Sequence, residues 1–365
     1  MKLLMTTDAV GGVWTYALDL CSALAAHDVE VVLASMGPLP TEAQRDAAKA
    51  LGNVSLLESD YRLEWMTEPW DDVTVAGEWL LDLAAANAVD VIHLNGYSHA
   101  TLPWRRPVVC VAHSCVSTWW QAVHGSPPPD RWNEYRHRVQ DGLNSANIIV
   151  APTAAFLEQL GASYRLTQPT RVIHNGRAAT TFNCDVSREP IVLACGRPWD
   201  VSKNLRVLDE ASQGSTWNAC VIGNTAGPDG QEFIPSALRA VGHQPAHEVH
   251  AWMRQASLFV HAALYEPFGL VVLEAAAAGC VLVLADIPTL RELWDGAAEF
   301  FQPRSSDELR ALLQALLADP ERQRKLAAAA RTRASKYSMA VAAAEYVDTY
   351  RTLVRRRATR RRAVA

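Results

Sequence analysis

Short runs of aliphatic and β-branched residues alternate with helical patterns along most of the chain, and this alternation limits the fold more than any single motif does. Leu3 to Thr6, Val29 to Ala34, Val54 to Leu57, Val89 to Leu94, Val108 to Ala112, Ile148 to Ala151 and Arg171 to His174 read as strands. Helices are expected at about Val13 to Ala26, around Thr41 to Leu51, and at Gly77 to Asn87. Such an order builds a parallel sheet wrapped by helices. After Asn175-Gly176 the chain turns irregular up to Pro190, and Ile191-Val-Leu-Ala-Cys195 opens a second series. That series holds a helix near Asn204 to Ala211, strands at Trp217 to Ile222 and Leu258 to His261, and helices at Ser306 to Ala318 and Pro320 to Ser335. The expectation is an α/β protein of two domains, residues 1–176 and 177–338, with the linker at the irregular stretch and residues 339–365 as a C-terminal helix and basic tail.

Bulk properties agree with two cores and exclude several classes. A chain of 365 residues with 49% hydrophobic content can bury a sizeable interior in each domain. A net charge of -5 argues against a dedicated nucleic-acid binder. Seven cysteines, at 21, 110, 115, 184, 195, 220 and 280, include no C-x-x-C pair and read as small buried hydrophobes in a reducing compartment. The first residues lack the apolar region and cleavage site of a secretory signal, and no apolar run reaches membrane-spanning length, so a cytoplasmic protein is expected. Arg351, Arg355, Arg356, Arg357, Arg360, Arg361 and Arg362 crowd the last fifteen residues. Such a tail is either a solvated terminus or a contact with an anionic inner leaflet, worth about 1 kcal/mol per basic residue near the surface.

The segment Tyr265-Glu-Pro-Phe-Gly-Leu-Val-Val-Leu-Glu274 carries the densest chemistry. Ala275 to Ala278 favours helix, Gly279 stops it, and Cys280 to Ala285 reads as a buried strand. Glu266 therefore stands in the loop before a short helix, and Glu274 about a turn and a half into it. A helix start offers free amides and positive dipole to an anion, while flanking carboxylates suit hydroxyls, a combination that describes a sugar nucleotide. A helix cap and a solvated helix carboxylate would use the same two residues.

Other candidates fall at strand ends. Gly11-Gly12 follows the first strand and opens a helix, which places amides where a phosphate can approach; a tight turn alone would also ask for two glycines. The pattern is not G-x-G-x-x-G, and the second strand ends Leu33-Ala-Ser35 without the acidic residue of a dinucleotide site. Arg197 and Lys203 bracket the loop after Ile191 to Cys195, where two cations can neutralise a diphosphate without a metal, although either also suits a surface ion pair. There is no D-x-D, and His247-Glu-Val-His250 lacks the spacing of a zinc helix, so no metal and no cofactor are expected. His113 stands just past a strand, where open parallel sheets place ligands, and Trp119, Trp120 and Trp132 flank the Pro127-Pro-Pro129 loop, where aromatic faces suit an acceptor sugar or a half-buried core.

The E-x7-E spacing with its internal Phe268-Gly269 resembles the signature of retaining glycosyltransferases of the GT4 family. Gly11-Gly12-Val13, His113, Ile173-His-Asn-Gly176, Gly196-Arg197 with Lys203-Asn204, and the stretch from Asp307-Glu-Leu to Tyr337-Ser338 extend the resemblance over most of the chain. It implies a GT-B fold, two Rossmann-like domains facing each other across a cleft, with the last helix crossing back to the N-terminal domain. It also implies transfer of a hexose from a nucleoside diphosphate sugar, with UDP-glucose or GDP-mannose as leading donor types, to a carbohydrate or lipid-linked acceptor.

By the same resemblance Glu266 orients the donor sugar, Phe268, Gly269 and Leu270 present amides, and Glu274 binds the ribose. Arg197 and Lys203 face the leaving diphosphate, Gly11 and Gly12 its phosphate, and His113 the transferred sugar. A nucleotide-sugar epimerase of the same architecture and a non-catalytic nucleotide-sugar-binding subunit are the competing readings.

Overall fold

The computed structural model describes residues 1–178, 188–227 and 230–364, with side chains to 359. Most of the expected linker, with Cys184, and the side chains of Arg360, Arg361 and Arg362 lie outside the described residues. Contacts divide the chain into two compact units, Met1–Gln121 with Ser126–Ala178 and Met339–Ala365, and Ala122–Gly125 with Ala179–Ser338.

In the first unit the order is β1 (Lys2–Asp8), α1 (Gly12–Ala25), β2 (Glu30–Met36), α2 (Glu42–Lys49), β3 (Val54–Glu58), α3 (Trp70–Ala86), β4 (Val91–Leu94), β5 (Val108–Val111), α4 (Val116–His124), α5 (Asn133–Ser145), β6 (Ile148–Ala151), α6 (Ala154–Ser163) and β7 (Thr170–Val172). All seven strands pair in parallel in the order β3-β2-β1-β4-β5-β6-β7. The order reverses beside β1, and in such sheets the crevice outside the strands' carboxyl ends at the reversal is the ligand position.

Three helices, α4, α5 and α6, lie where no helix was expected. Of the tryptophans expected to flank the Pro127-Pro-Pro129 loop, Trp119 and Trp120 are helical residues, since α4 closes before the prolines. Helix α3 starts at Trp70, seven residues before Gly77. Gly77 is no boundary: a Cβ there would stand 3.0 Å from Leu102 Cδ2, so the glycine lets the helix approach its neighbour.

The second unit runs β8 (Glu189–Cys195), α7 (Leu205–Ser212), β9 (Asn218–Ile222), β10 (Arg239–Gly242), α8 (Ala246–Gln255), β11 (Ala256–His261), α9 (Leu270–Ala277), β12 (Val281–Ala285), α10 (Pro288–Trp294), β13 (Glu299–Phe301), α11 (Ser306–Leu317) and α12 (Pro320–Ala334). Its six strands form the sheet β10-β9-β8-β11-β12-β13, which reverses beside β8. Successive residues of one strand divide between two cores. Leu193, Phe259, Leu282 and Leu284 enter one, while Val192, Leu258, Val260, Val281 and Val283 enter the other. A sheet covered on both faces needs such uninterrupted apolar strands. Helix α13 (Met339–Val364) belongs to the first unit and packs on α1.

Cys21, Cys110, Cys115, Cys220 and Cys280 are buried thiols and Cys195 is half-buried, none of them in a disulfide among the described residues. Burial pushes the thiols of Cys21, Cys195 and Cys280 up to about 12, so they act as hydrophobes and not as nucleophiles.

Candidate functional site

Within the second unit the loop after β8 and the loop after β11 deliver one charged cluster. Gly196 and Gly223 let the ends of β8 and β9 meet: a Cβ on Gly223, at φ +140°, would stand 1.8 Å from the Gly196 carbonyl oxygen. Asn204, in the left-handed region at φ 53°, donates its amide to the carbonyls of Ala262 and Pro303 and so anchors the end of that loop. Lys203, just before it, lies with its Nζ 2.9 Å from Glu266 Oε2. His261, the last residue of β11, reaches the same oxygen at 3.1 Å.

The Lys203 ammonium and the His261 ring oppose the cost of burial and hold the Glu266 carboxyl well below the usual carboxylate range. Both contacts use Oε2. Oε1 and the two further N–H donors of Lys203 have no partner among the described residues. A fixed anion and a fixed cation thus each keep hydrogen-bonding capacity for a ligand.

Helix α9 starts beside them. Gly269, at φ +85°, turns the chain into it, and no side chain caps its first turn. The Phe268 ring is buried and meets Tyr337 edge to face, so it serves the core of the second unit. Glu274 lies 3.9 Å from His250 of α8 and raises the Cys195 thiol together with burial, which places its carboxylate near the carboxyl end of β8. Arg197 pairs with Asp200 at 3.0 Å and lies over the Trp199 ring; it is half exposed, at 49%, and its ion pair is with Asp200 and not with Glu266.

In the first unit the candidates gather where the sheet reverses. Gly11 takes φ +95° between β1 and α1, a conformation that favours glycine. A Cβ on Gly11 or on Gly12 would touch nothing within 4 Å, so packing does not explain Gly12. His113, after β5, is 2.8 Å from Asn95 Oδ1 through Nε2, and its ring meets the edge of Tyr16 at 4.4 Å between centroids. Burial and the neighbouring His93 push its imidazole down to about 3; burial holds His93 down at about 4. Trp119 and Trp120 touch edge to face, Arg131 lies over Trp120, and Trp132 turns to Tyr135, so the three tryptophans form no single platform.

The two histidines set a pH dependence of stability. An unfolded histidine takes its proton near pH 6.5, whereas folded His93 and His113 refuse it until about 4 and 3. The unfolded state therefore binds more protons between those values, and stability falls as pH drops below 6.5. Urea unfolding should lose on the order of 2 to 3 kcal/mol per pH unit near pH 5 from this pair. His113→Gln should remove roughly half of that slope; an unchanged slope would show that the ring is protonated in the folded protein.

Among the residues that the sequence does not assign to the site, His261 and His93 are legible only as strand residues, His250 only in a zinc spacing it fails to meet, and Asn95 carries no linear signal. Comparison with known proteins bears on the whole chain. Residues 10–178 match the family model Glycosyltransferase Family 4, and residues 200–333 match Glycosyl transferases group 1. A glycogen synthase of Mycobacterium tuberculosis is 40% identical over 99 residues, 27% of this chain and 24% of that protein. A GDP-mannose:cellobiosyl-diphosphopolyprenol alpha-mannosyltransferase of Komagataeibacter xylinus is 30% identical over 208 residues, 50% of this chain and 51% of that protein. The aligned parts thus span from about a quarter to half of these curated relatives. The solved sucrose-phosphate synthase of Thermosynechococcus elongatus superposes with a TM-score of 0.80 at 18% identity, covering 97% of this chain and 99% of that one. The fold is GT-B.

Proposed function

The chain belongs to the GT4 glycosyltransferases, glycosyl transferases group 1, and from that membership we propose that it moves a hexose from a nucleoside diphosphate sugar to a carbohydrate or lipid-linked acceptor, with retention and without a metal ion. The observation that carries the reading is the Lys203–Glu266–His261 cluster at the start of α9. Lys203, Arg197 and the α9 amides supply positive charge for a departing diphosphate, the largest demand of the reaction. Glu266 Oε1 accepts a hydroxyl of the donor sugar, Glu274 accepts from the ribose, and Gly11 and Gly12 admit a phosphate.

In this scheme the C1–O bond to the diphosphate breaks as the acceptor oxygen bonds C1 on the same face, and a leaving phosphate oxygen takes the acceptor's proton. No side chain has to act as nucleophile or general base. The printed name of the mannosyltransferase relative includes a GDP-mannose donor and a diphosphopolyprenol acceptor, which supports donors of GDP-mannose or UDP-glucose type and an acceptor of lipid-linked type. No helix among the described residues is long and apolar enough to cross a membrane. Arg351, Arg355 and Arg356 are exposed on α13, and in a cytoplasmic enzyme they would hold it to an anionic inner leaflet.

Gly12→Ala separates ligand approach from folding. Stability should stay within about 1 kcal/mol, since the added methyl meets nothing, while KM for the donor rises at least about tenfold. Unchanged KM would remove Gly12 from the donor site. The transfer itself is tested by incubating the protein with UDP-glucose or GDP-mannose and an extract of polyprenol-linked saccharides. An axial anomeric product by NMR is expected. An epimerised donor in the absence of acceptor would favour the epimerase reading instead.

A further inference from the structure

Asn95 follows β4 where the first sheet reverses, and both ends of its amide are committed. Nδ2 donates to the Thr6 carbonyl at 2.7 Å, which fixes the other end as oxygen, and the Asn95 backbone N–H donates to Thr6 Oγ1 at 2.9 Å. Oδ1 then faces two imidazoles, His113 Nε2 at 2.8 Å and His93 Nε2 at 3.1 Å. An amide oxygen only accepts, so each ring must carry its proton on Nε2. Tyr350 of α13 agrees with this assignment: its hydroxyl, 2.6 Å from His93 Nδ1, donates to the bare nitrogen. On His113 the bare Nδ1 has no partner among the described residues.

We infer that Asn95 is a positioning residue that holds His113 as the Nε2–H tautomer, with Nδ1 offered as an acceptor to a hydroxyl of the transferred sugar. Four side chains from three elements and the loops beyond them, Tyr350, His93, Asn95 and His113, set the direction of one ring. His93 takes the second acceptor position of Asn95 Oδ1 and, through Tyr350, ties it to the C-terminal helix.

The tautomer is independent of the reaction; the kinetic consequence rests on the transferase reading. In ¹⁵N-histidine NMR of the full chain, assigned with His113→Gln and His93→Gln, both rings should show protonated Nε2 and bare Nδ1 at neutral pH. In Asn95→Ala the His113 signature should shift to a mixture of tautomers. With an active donor, kcat should fall at least about tenfold, as follows from a wrong imidazole tautomer, while KM changes less than about threefold. Wild-type His113 with its proton on Nδ1, or an unchanged His113 signature in Asn95→Ala, overturns the inference, and the first of these needs no variant to fold. Absence of transfer by the wild-type protein with the expected tautomers present would instead count against the proposed reaction.

Discussion

Lys203→Ala is expected to lower kcat by about 10²- to 10³-fold while the affinity for bare UDP or GDP changes by less than about tenfold. The asymmetry follows from where the charge develops. A bound nucleoside diphosphate already carries its charge in water and is held by several groups, whereas the departing diphosphate gains charge as C1–O breaks, and the two unpartnered N–H donors of Lys203 meet that gain. Arginine is a poor substitute, because its planar fork replaces a compact charge. Folding should survive. Glu266 keeps His261 at 3.1 Å, so the loss stays below the roughly 3 to 5 kcal/mol that removing the sole partner of a buried charge costs. Equal losses in kcat and nucleotide affinity would contradict the leaving-group role.

Gly223→Ala should be the most damaging single methyl in the second unit. Its Cβ would stand 1.8 Å from a backbone oxygen, and 3.0 Å from both the Gly196 carbonyl carbon and Pro198 Cδ, at a φ of +140° that L side chains rarely adopt. Backbone on both sides cannot yield as a flexible side chain would. The expected loss is on the order of 3 kcal/mol or more, read as a lower urea midpoint or a collapse in soluble yield. Any folded fraction should bind donor weakly, since the loop that shifts carries Arg197 and Lys203. A variant as stable as the parent would show that the β8 and β9 ends do not need their close approach. The contrast with Gly12 is instructive: two glycines beside strand ends, one required by the protein's own packing and one not.

The strands of both sheets were legible because a sheet covered on both faces demands apolar runs, and Val108 to Ala112 or Cys280 to Ala285 can hardly be anything else. The two edge strands of the second sheet are not legible for the same reason: β10 and β13 are short and partly exposed, so their sequences lack that run. Helix α8 is not legible either: its ten residues bury Met253 alone, too little for an apolar stripe.

At the site, Glu266 and Lys203 can be named from local motifs because each sits in a loop whose backbone conformation also leaves a sequence mark, Gly269 or Asn204, and Glu274 because the same motif carries it into α9. Their pairing could not, since 63 residues separate Lys203 from Glu266. Asn95 and His93 were invisible for a related reason. Their roles arise from β4 lying between β1 and β5 in the sheet and from α13 packing back on the first unit, neither of which is written in the residues around them.

Calorimetric titration of the purified protein with UDP, GDP and ADP and their sugars, with and without a chelator, reads the donor site itself. Binding should select one base, be indifferent to the chelator, and weaken when Glu266 is replaced by alanine. Failure to bind any of the six, or binding that the chelator abolishes, would contradict a donor site built on Lys203, Glu266 and the start of α9.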